Sequence, residues 1–489
     1  MTSPRRKLGL WITATIVIAN MVGTGVFTST GFQAESLHDP WTILLAWVVG
    51  GGLALCGAAA YAELGAMMPK AGGEYVYLRE AYHPVVGFMS GWVSLTAGFS
   101  APIAVAALAF ARYASTLFPA LQAQAAWTTL SITIADHHIA DVTIGVSQVI
   151  AIALILVLTS LHSFDTKLGG WVQAAFTATK VVLILCFIVG GLLVGHGDWS
   201  HLASQNSGLA NLGTRNFGIS LMYVSFAYSG WNAAAYIAGE IKQPEKTLPR
   251  ALLLGTGIVM ALYLLLNLVF FYAVPSDVLA GAHVVAGKVV YAPVLEVGDV
   301  AARSLFGDTA GQLITAVIAL ALVSAVSAMV MAGPRVYSAM AAARALPRPL
   351  AQHSRRGVPR VAVITQGVLG CLFVMVGDPD VLIRFVGFTL AIFAALTVGA
   401  LFILRARGLR GPYRTFGYPV TPIAFIVLSA WIAYAQIDKY PTESIIVVIV
   451  LAIGGLLYGL LGRAGSPSPL GAAPEALPEV RLIGGAPNA

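Results

Sequence analysis

Long apolar segments separated by short polar ones follow one another along almost the whole chain. Each segment has at least about 18 residues, enough for a helix to cross about 30 Å of membrane hydrocarbon. We place twelve such spans, at residues 8–34, 41–68, 85–118, 141–161, 171–195, 216–239, 250–274, 309–343, 359–376, 380–404, 418–436 and 444–462. The pattern therefore predicts one all-α membrane protein and not a string of soluble domains.

Composition supports the same prediction. Of the 489 residues, 58% are hydrophobic and only 10% are charged, whereas soluble domains carry about 25% charged residues. The net charge of +7 does not indicate a nucleic-acid partner, because the basic residues lie in short loops between the spans. If the N-terminus is cytoplasmic, the outside loops hold only Arg215, Lys288, Arg303 and Lys439. This asymmetry predicts that both termini are cytoplasmic, in a multi-pass protein of the cell (inner) membrane.

The chain divides into a short N-terminus, a membrane domain and a tail. Residues 1–7 are basic and precede a first span that lacks a cleavage site, so we expect that span to be retained. Residues 8–462 form the membrane domain, and residues 463–489, rich in Pro, Gly, Ala and Ser, are predicted to be a disordered cytoplasmic tail. Cys56, Cys186 and Cys371 lie in apolar segments and are interpreted as buried hydrophobes. We predict no metal site and no cofactor.

Two spans are interrupted at mid-depth. The first contains Asn20 and Gly23-Thr24-Gly25, and the sixth contains Ser229-Gly230-Trp231-Asn232. Glycine costs about 1 kcal/mol inside a helix, and broken backbone at membrane depth is tolerated only where it lines a cavity or is buried in protein. Close helix packing through small residues is an alternative for either segment alone. Interrupted spans at matching places in two halves indicate a transporter's central site.

A broken helix can bind a zwitterion without charged side chains. The half that begins at the break presents free N–H groups, which attract a carboxylate, and the half that ends there presents free C=O groups, which attract an ammonium group. Several such contacts and side-chain burial could together reach the roughly 4–8 kcal/mol of a millimolar-to-micromolar site. The segments therefore favour an amino acid as the transported solute.

Several motifs resemble those of the amino acid–polyamine–organocation superfamily. They are Gly23-Thr24-Gly25-Val26-Phe27, Phe226–Asn232 with Gly239–Arg250 after it, Tyr61–Leu64, Pro69–Tyr75, Gly333-Pro334-Arg335 and Tyr413–Pro419. The chain is most similar to the L-type amino acid transporter branch and its bacterial relatives, over residues 8–462. The resemblance implies a LeuT-type fold with twelve transmembrane helices, of which helices 1 and 6 are unwound at mid-membrane. Repeat one would span about residues 8–195, inverted repeat two about 216–404, and two appended helices about 418–462.

The resemblance also implies a set of substrate-binding residues. They are Met21, Gly23, Thr24, Gly25, Phe226, Ala227, Ser229 and Asn232. The substrate carboxylate would meet Thr24 and Gly25, and its amino group would meet carbonyls of Met21, Phe226 and Ser229. Phe226 would be an aromatic gate, and Asn232 a polar residue near the amino group.

Lys180 is the most informative isolated charge, since it lies nine residues into the fifth span. A lysine at mid-helix costs about 2.5–3.5 kcal/mol on insertion scales. In sodium-independent members of the superfamily, a fifth-helix lysine stands where relatives hold sodium. We therefore predict that Lys180 is a coupling residue that braces the first helix against the eighth. A purely structural ammonium group, bonded to backbone carbonyls, remains the alternative.

Two other polar groups receive ordinary interpretations. Glu63, near the cytoplasmic end of the second span, is predicted to be a packing or ion-pair residue rather than a proton relay. Asp136-His137-His138 has too few ligands for a metal site and is interpreted as a solvated outside loop.

The predicted function is sodium-independent transport of neutral L-amino acids by alternating access, as an exchanger or a proton-coupled symporter. Neutral substrates are favoured because neither broken segment contains Asp or Glu. The alternatives are a cationic amino acid or polyamine transporter, or a nontransporting sensor of the same fold. No enzyme motif is present. Residues 119–140 contain no Cys, so no disulfide-linked glycoprotein subunit is expected, and the protein would be a monomer or homodimer in the lipid bilayer.

Overall fold

The computed structural model describes residues 8–70, 72–121, 126–134, 137–164, 166–203, 211–285, 288–354, 357–376 and 378–461. The predicted N-terminus at residues 1–7 and the predicted tail at 463–489 lie outside the described residues. The α-helices, in chain order, are α1 Leu10–Met21, α2 Gly25–Leu37, α3 Pro40–Met67, α4 Glu74–Ala81, α5 Pro84–Val93, α6 Ala101–Leu117, α7 Val146–Phe164, α8 Thr166–Leu193, α9 Arg215–Tyr228, α10 Ala233–Tyr236, α11 Pro244–Ala273, α12 Ser276–Leu279, α13 Val297–Ala332, α14 Pro334–Ala342, α15 Arg360–Met375, α16 Pro379–Ala406, α17 Val420–Lys439 and α18 Pro441–Leu461.

The helices follow the hydrophobic pattern. Among the described residues, nine helical segments are long and apolar enough to cross a membrane, and Thr177–Leu193 and Arg360–Met375 are shorter apolar helices. These eleven coincide with eleven of the predicted spans, and the predicted sixth span is divided between α9 and α10. The chain is a mostly helical, multi-pass membrane protein, as the pattern predicted.

Two β-hairpins were not predicted by the all-α interpretation. Strands β1 (Ala126–Ile134) and β2 (His137–Gly145) pair antiparallel, as do β3 (Ala282–Val285) and β4 (Lys288–Tyr291). The first hairpin corrects the fourth span, which begins at Val146 and not at 141, and places His137 and His138 on a strand. Asp136 lies outside the described residues. Alternating Thr and Ile residues in β1 favour a strand, a signal that a search for long apolar runs overlooks.

Buried aromatic side chains fix the helices that surround the first break. Trp47 of α3 packs edge-on against Tyr228 of α9 and Tyr263 of α11, with ring centroids 5.7 and 5.5 Å away. The Tyr228 and Tyr263 centroids are 5.2 Å apart, and all three side chains are almost completely buried. Such pairs contribute about 0.5–1.5 kcal/mol each beyond their burial, so this cluster holds α3, α9 and α11 together.

Candidate functional site

The first break separates α1 from α2. Helix α1 ends at Met21, and the N–H of Val22 makes the last helical bond, to Ile18 O at 2.9 Å. Helix α2 begins at Gly25, so the end of α1 presents carbonyl groups without helical partners. The break lies at the glycine pair that the sequence singled out.

The side chain of Lys180 binds two carbonyl oxygens at this break. Its side chain is completely buried, and its Nζ donates hydrogen bonds of 2.6 Å to both Ala19 O and Val22 O. Helix α13 also reaches the break, because a Cβ built on Gly23 would lie 3.6 Å from the Cβ of Ala325. Among the described residues, Lys180 donates hydrogen bonds to the end of the first helix. It donates none to α13 in this part of the chain.

The second break separates α9 from α10. After Tyr228 the chain becomes extended at Ser229 (ψ 149°) and then turns through Gly230 at a φ of +96°. A positive φ is readily adopted by glycine and is costly for other residues. The short helix α10 begins at Ala233, whose N–H bonds Gly230 O at 3.0 Å.

The two breaks lie against each other. A Cβ built on Gly25 would be 2.3 Å from the Cα of Ala227, and one built on Gly230 would be 2.7 Å from Asn20 O. Only hydrogen fits at either position. Segments about two hundred residues apart in the sequence therefore meet backbone to backbone at the interrupted positions.

The other predicted substrate-binding residues lie around this crossing. Thr24, Phe226 and Ala227 are buried, whereas Gly23, Ser229 and Asn232 are half-buried. Met21 O accepts a 2.6 Å hydrogen bond from the Tyr263 hydroxyl. Their roles in binding stay predictions.

Glu74 is a residue that the sequence analysis missed. It lies on α4 outside both broken spans, yet its Oε1 accepts a 2.7 Å hydrogen bond from the amide of Asn232. Neither broken segment contains Asp or Glu, but the carboxyl of Glu74 reaches the second break from the first residue of α4. The Gly72-Gly73 pair before Glu74 signals a turn, but the sequence does not say which helix that turn contacts.

Two cavities adjoin the second half of the sixth span. One, of about 60 Å³, lies beside the break and is lined by residues including Glu74, Ser225, Ser229, Asn232 and Ser429. The other, of about 470 Å³, is lined by residues including His162, Glu240, Arg335 and His353. Only the larger one is in the size range of small-molecule sites. Within its wall, Arg335 Nε and Glu240 Oε1 form a 3.2 Å ion pair.

Glu63 makes the ion pair that the sequence predicted. Its carboxylate binds Arg405 through two hydrogen bonds of 2.8 and 2.6 Å. It also accepts bonds of 2.6 and 2.7 Å from the N–H and hydroxyl of Thr415. The interaction ties the end of α3 to the end of α16, so the structural interpretation of Glu63 is confirmed.

Comparisons with known proteins match almost the whole chain to amino acid transporters. The family described as "Amino acid permease" matches residues 8–460. The chain is 32% identical over 469 residues to the "Serine/threonine exchanger SteT" of Bacillus subtilis, covering 94% of this chain and 98% of that protein. It is 28% identical to the human "b(0,+)-type amino acid transporter 1", covering 94% and 88%. The human "Asc-type amino acid transporter 1" is 27% identical, with 93% and 82% covered.

Proposed function

This chain belongs to the amino acid permease family and is a secondary amino acid transporter, and we propose that it exchanges neutral L-amino acids without sodium. One relative is named an exchanger of serine and threonine, which supports both the transport mode and the substrate class. Proton-coupled symport is the other mode that the fold permits.

The observation that carries sodium independence is the pair of bonds from Lys180. Carbonyls released at a helix break attract a cation, and here Nζ donates to both Ala19 O and Val22 O at 2.6 Å. The lysine thus supplies the positive charge at the end of α1. A bound sodium ion would have to displace or approach an ammonium group, which Coulomb repulsion opposes.

For the transport cycle we propose a LeuT-type arrangement with alternating access. The twelve segments would all cross the inner membrane as two inverted repeats and two appended helices, with both termini in the cytoplasm. The contact between the two breaks supports a central site there. Because the two breaks touch, the first broken span cannot shift without displacing the sixth. The cavity of about 470 Å³ beside Arg335 and Glu240 would be the inner end of the pathway.

At the central site, the substrate carboxylate would bind near Thr24 and Gly25 at the start of α2. The amino group would bind carbonyls of Met21, Phe226 and Ser229 and the side chain of Asn232. Phe226 would cover the bound substrate, and Gly23 and Ala227 would line the site. Glycine and alanine at these positions let the two broken segments approach closely.

A cationic amino acid is a second candidate substrate, and one observation favours it. Glu74 brings a carboxyl to within 2.7 Å of the Asn232 amide, so the second break has an acidic group near it after all. Competition by arginine tests this candidate directly.

Transport by the purified protein in liposomes tests the proposal. Uptake of a radiolabelled mixture of serine, threonine, alanine and leucine is measured in sodium-free buffer, into empty vesicles and into vesicles preloaded with the same amino acids. We expect uptake only into preloaded vesicles and no stimulation by added sodium.

Other outcomes would change the assignment. Uptake into empty vesicles that grows with an inward proton gradient would make the protein a symporter. Strong competition by arginine but not by leucine or alanine would replace the neutral substrate with a cationic one. No uptake under any of these conditions would contradict transport of this substrate class and favour a sensor.

A further inference from the structure

The loop before α4 is pressed against the second half of the sixth span. Gly72 and Gly73 adopt φ angles of +120° and +51°, and Gly72 N–H bonds Tyr236 O at 3.2 Å. A Cβ built on Gly73 would lie 2.5 Å from Cδ1 of the Tyr236 ring. The two glycines therefore let the loop contact α10. They place the next residue, Glu74, beside the second break.

The Glu74 carboxyl is buried among uncharged donors. The residue is 4% exposed, and its Oε1 accepts hydrogen bonds from the Tyr61 hydroxyl at 2.6 Å and from Asn232 Nδ2 at 2.7 Å. The other titratable groups that interact with it are Tyr77 and Tyr236, which are neutral at physiological pH. Among the described residues no Lys or Arg forms an ion pair with it.

Both hydrogens of the Asn232 side-chain amide are used in hydrogen bonds. One is donated to Glu74 Oε1 and the other to the Tyr236 hydroxyl at 3.0 Å. A primary amide has two donor hydrogens and one acceptor oxygen. The polar atom of Asn232 that remains for a ligand is therefore Oδ1, which accepts no hydrogen bond from the part of the chain that the structure describes.

We propose that Glu74 is a positioning residue that holds the Asn232 amide with its oxygen available to the substrate's amino group. The inference deepens the proposed function and rests on it. An amide that could rotate would present Nδ2 as readily as Oδ1, and an N–H donor repels an ammonium group. Because Glu74 can only accept when it is ionised, and is already bound by a donor from Tyr61, it fixes the nitrogen of Asn232 on its own side.

The consequence is selectivity for an ammonium group at the α carbon. A charge-assisted hydrogen bond from an ammonium group to Oδ1 is about twice as strong as a neutral one. A 2-hydroxy acid with the same carbon skeleton therefore binds less well. Release of the Asn232 amide reduces this difference, because Nδ2 can then donate to the hydroxyl oxygen of the analogue.

The test compares L-serine with glyceric acid, its 2-hydroxy analogue, as inhibitors of radiolabelled serine exchange in proteoliposomes. The discrimination ratio is the inhibition constant of glyceric acid divided by that of serine. We expect Glu74→Ala to lower this ratio about tenfold, whereas Glu74→Gln, whose amide oxygen can still accept from Asn232, retains it within about threefold. Glu245→Gln, a carboxyl-to-amide change in the first turn of α11, is the matched control.

A merely structural role gives a different result. If Glu74→Ala slowed exchange but left the discrimination ratio unchanged, the positioning role would be overturned. If the wild type exchanged no serine, the proposed substrate class would fail independently of Glu74. The inference would then be judged on thermal stability in detergent, with the single and double variants of Glu74→Ala and Asn232→Ala. Additive changes would show that the two side chains are not coupled, which overturns the inference.

Discussion

Lys180 is joined to Val22 by a hydrogen bond of 2.6 Å from Nζ to the main-chain oxygen. The bond connects the middle of α8 to the first residue after α1. A second bond of the same length goes to Ala19 O, so one side chain satisfies two carbonyls that the break has released. The position of the break and the charge of Lys180 are therefore parts of one arrangement.

Replacement of Lys180 by Met keeps the length of the side chain and removes the donors. We expect Lys180→Met to lower the exchange rate at least about tenfold, because each buried carbonyl left without a partner costs about 1–3 kcal/mol. Sodium-free exchange in proteoliposomes measures the effect. Lys242→Met, at an exposed position, is the control. Wild-type rates for Lys180→Met would show that Lys180 neither braces α1 nor takes part in coupling.

Two glycines of the first break provide a matched pair of variants. Gly25→Ala places a methyl group 2.3 Å from the Cα of Ala227, a backbone atom that cannot rotate away, whereas Gly23→Ala meets Ala325 at an ordinary 3.6 Å. Overpacking costs about 1–3 kcal/mol or more. Thermal unfolding in detergent should show a clearly lower midpoint for Gly25→Ala than for Gly23→Ala. Equal midpoints would mean that the breaks do not touch.

The ion pair of Glu63 should contribute more to stability than an exposed one. Glu63 is 2% exposed and holds both Arg405 and Thr415. Glu63→Gln leaves the guanidinium without its carboxylate, which costs about 3–5 kcal/mol for buried pairs. Asp438→Asn breaks the exposed 2.7 Å pair with Arg215 and should cost less than about 1 kcal/mol. Denaturation midpoints compare the two variants, and a larger loss for Asp438→Asn would contradict the argument.

The pH dependence of stability should carry a signature of Glu74. Burial raises the pKa of its carboxyl above the ordinary value of 4.5, so the folded protein binds this proton more tightly than the unfolded chain does. The protonated Glu74 carboxyl therefore makes its full contribution to the free energy of unfolding below pH 4.5. This contribution is lost as the pH rises through the raised pKa of the folded protein. The loss is about 1.4 kcal/mol for each pH unit by which the pKa in the folded protein exceeds that in the unfolded chain.

Thermal unfolding of the wild type and Glu74→Gln across this range measures the effect. The advantage of Glu74→Gln over the wild type should grow with increasing pH. Asp198 gives the opposite sign, because hydrogen bonds from the backbone and side chain of Ser200 lower the pKa of its exposed carboxyl. Asp198→Asn should therefore lose stability relative to the wild type as the pH rises. Parallel profiles for the wild type and Glu74→Gln would be inconsistent with a raised pKa.

The parts of this molecule that the sequence predicts are those encoded locally. Runs of apolar residues predict the helices, and Gly23, Gly25 and Gly230 predict the breaks, because glycine weakens a helix wherever it stands. Lys180 draws attention because a charge in an apolar span needs a partner. Contacts between distant segments carry no local signal, so the bond from Asn232 to Glu74, 158 positions away, was missed. The hairpin of β1 and β2 was missed because strand alternation is a weaker pattern than a long apolar run.

The contact between Gly25 and Ala227 also restricts how this sequence can change over evolutionary time. A larger residue at position 25 requires backbone displacement at position 227. A smaller side chain at position 227 would not relieve the clash, because the nearest atom is the Cα atom. The two segments must therefore be inherited as a pair, although about two hundred residues separate them in the sequence. A chimera that takes its first span from a distant relative and its sixth from this chain would inherit mismatched surfaces, whereas one that exchanges both spans together would keep them fitted.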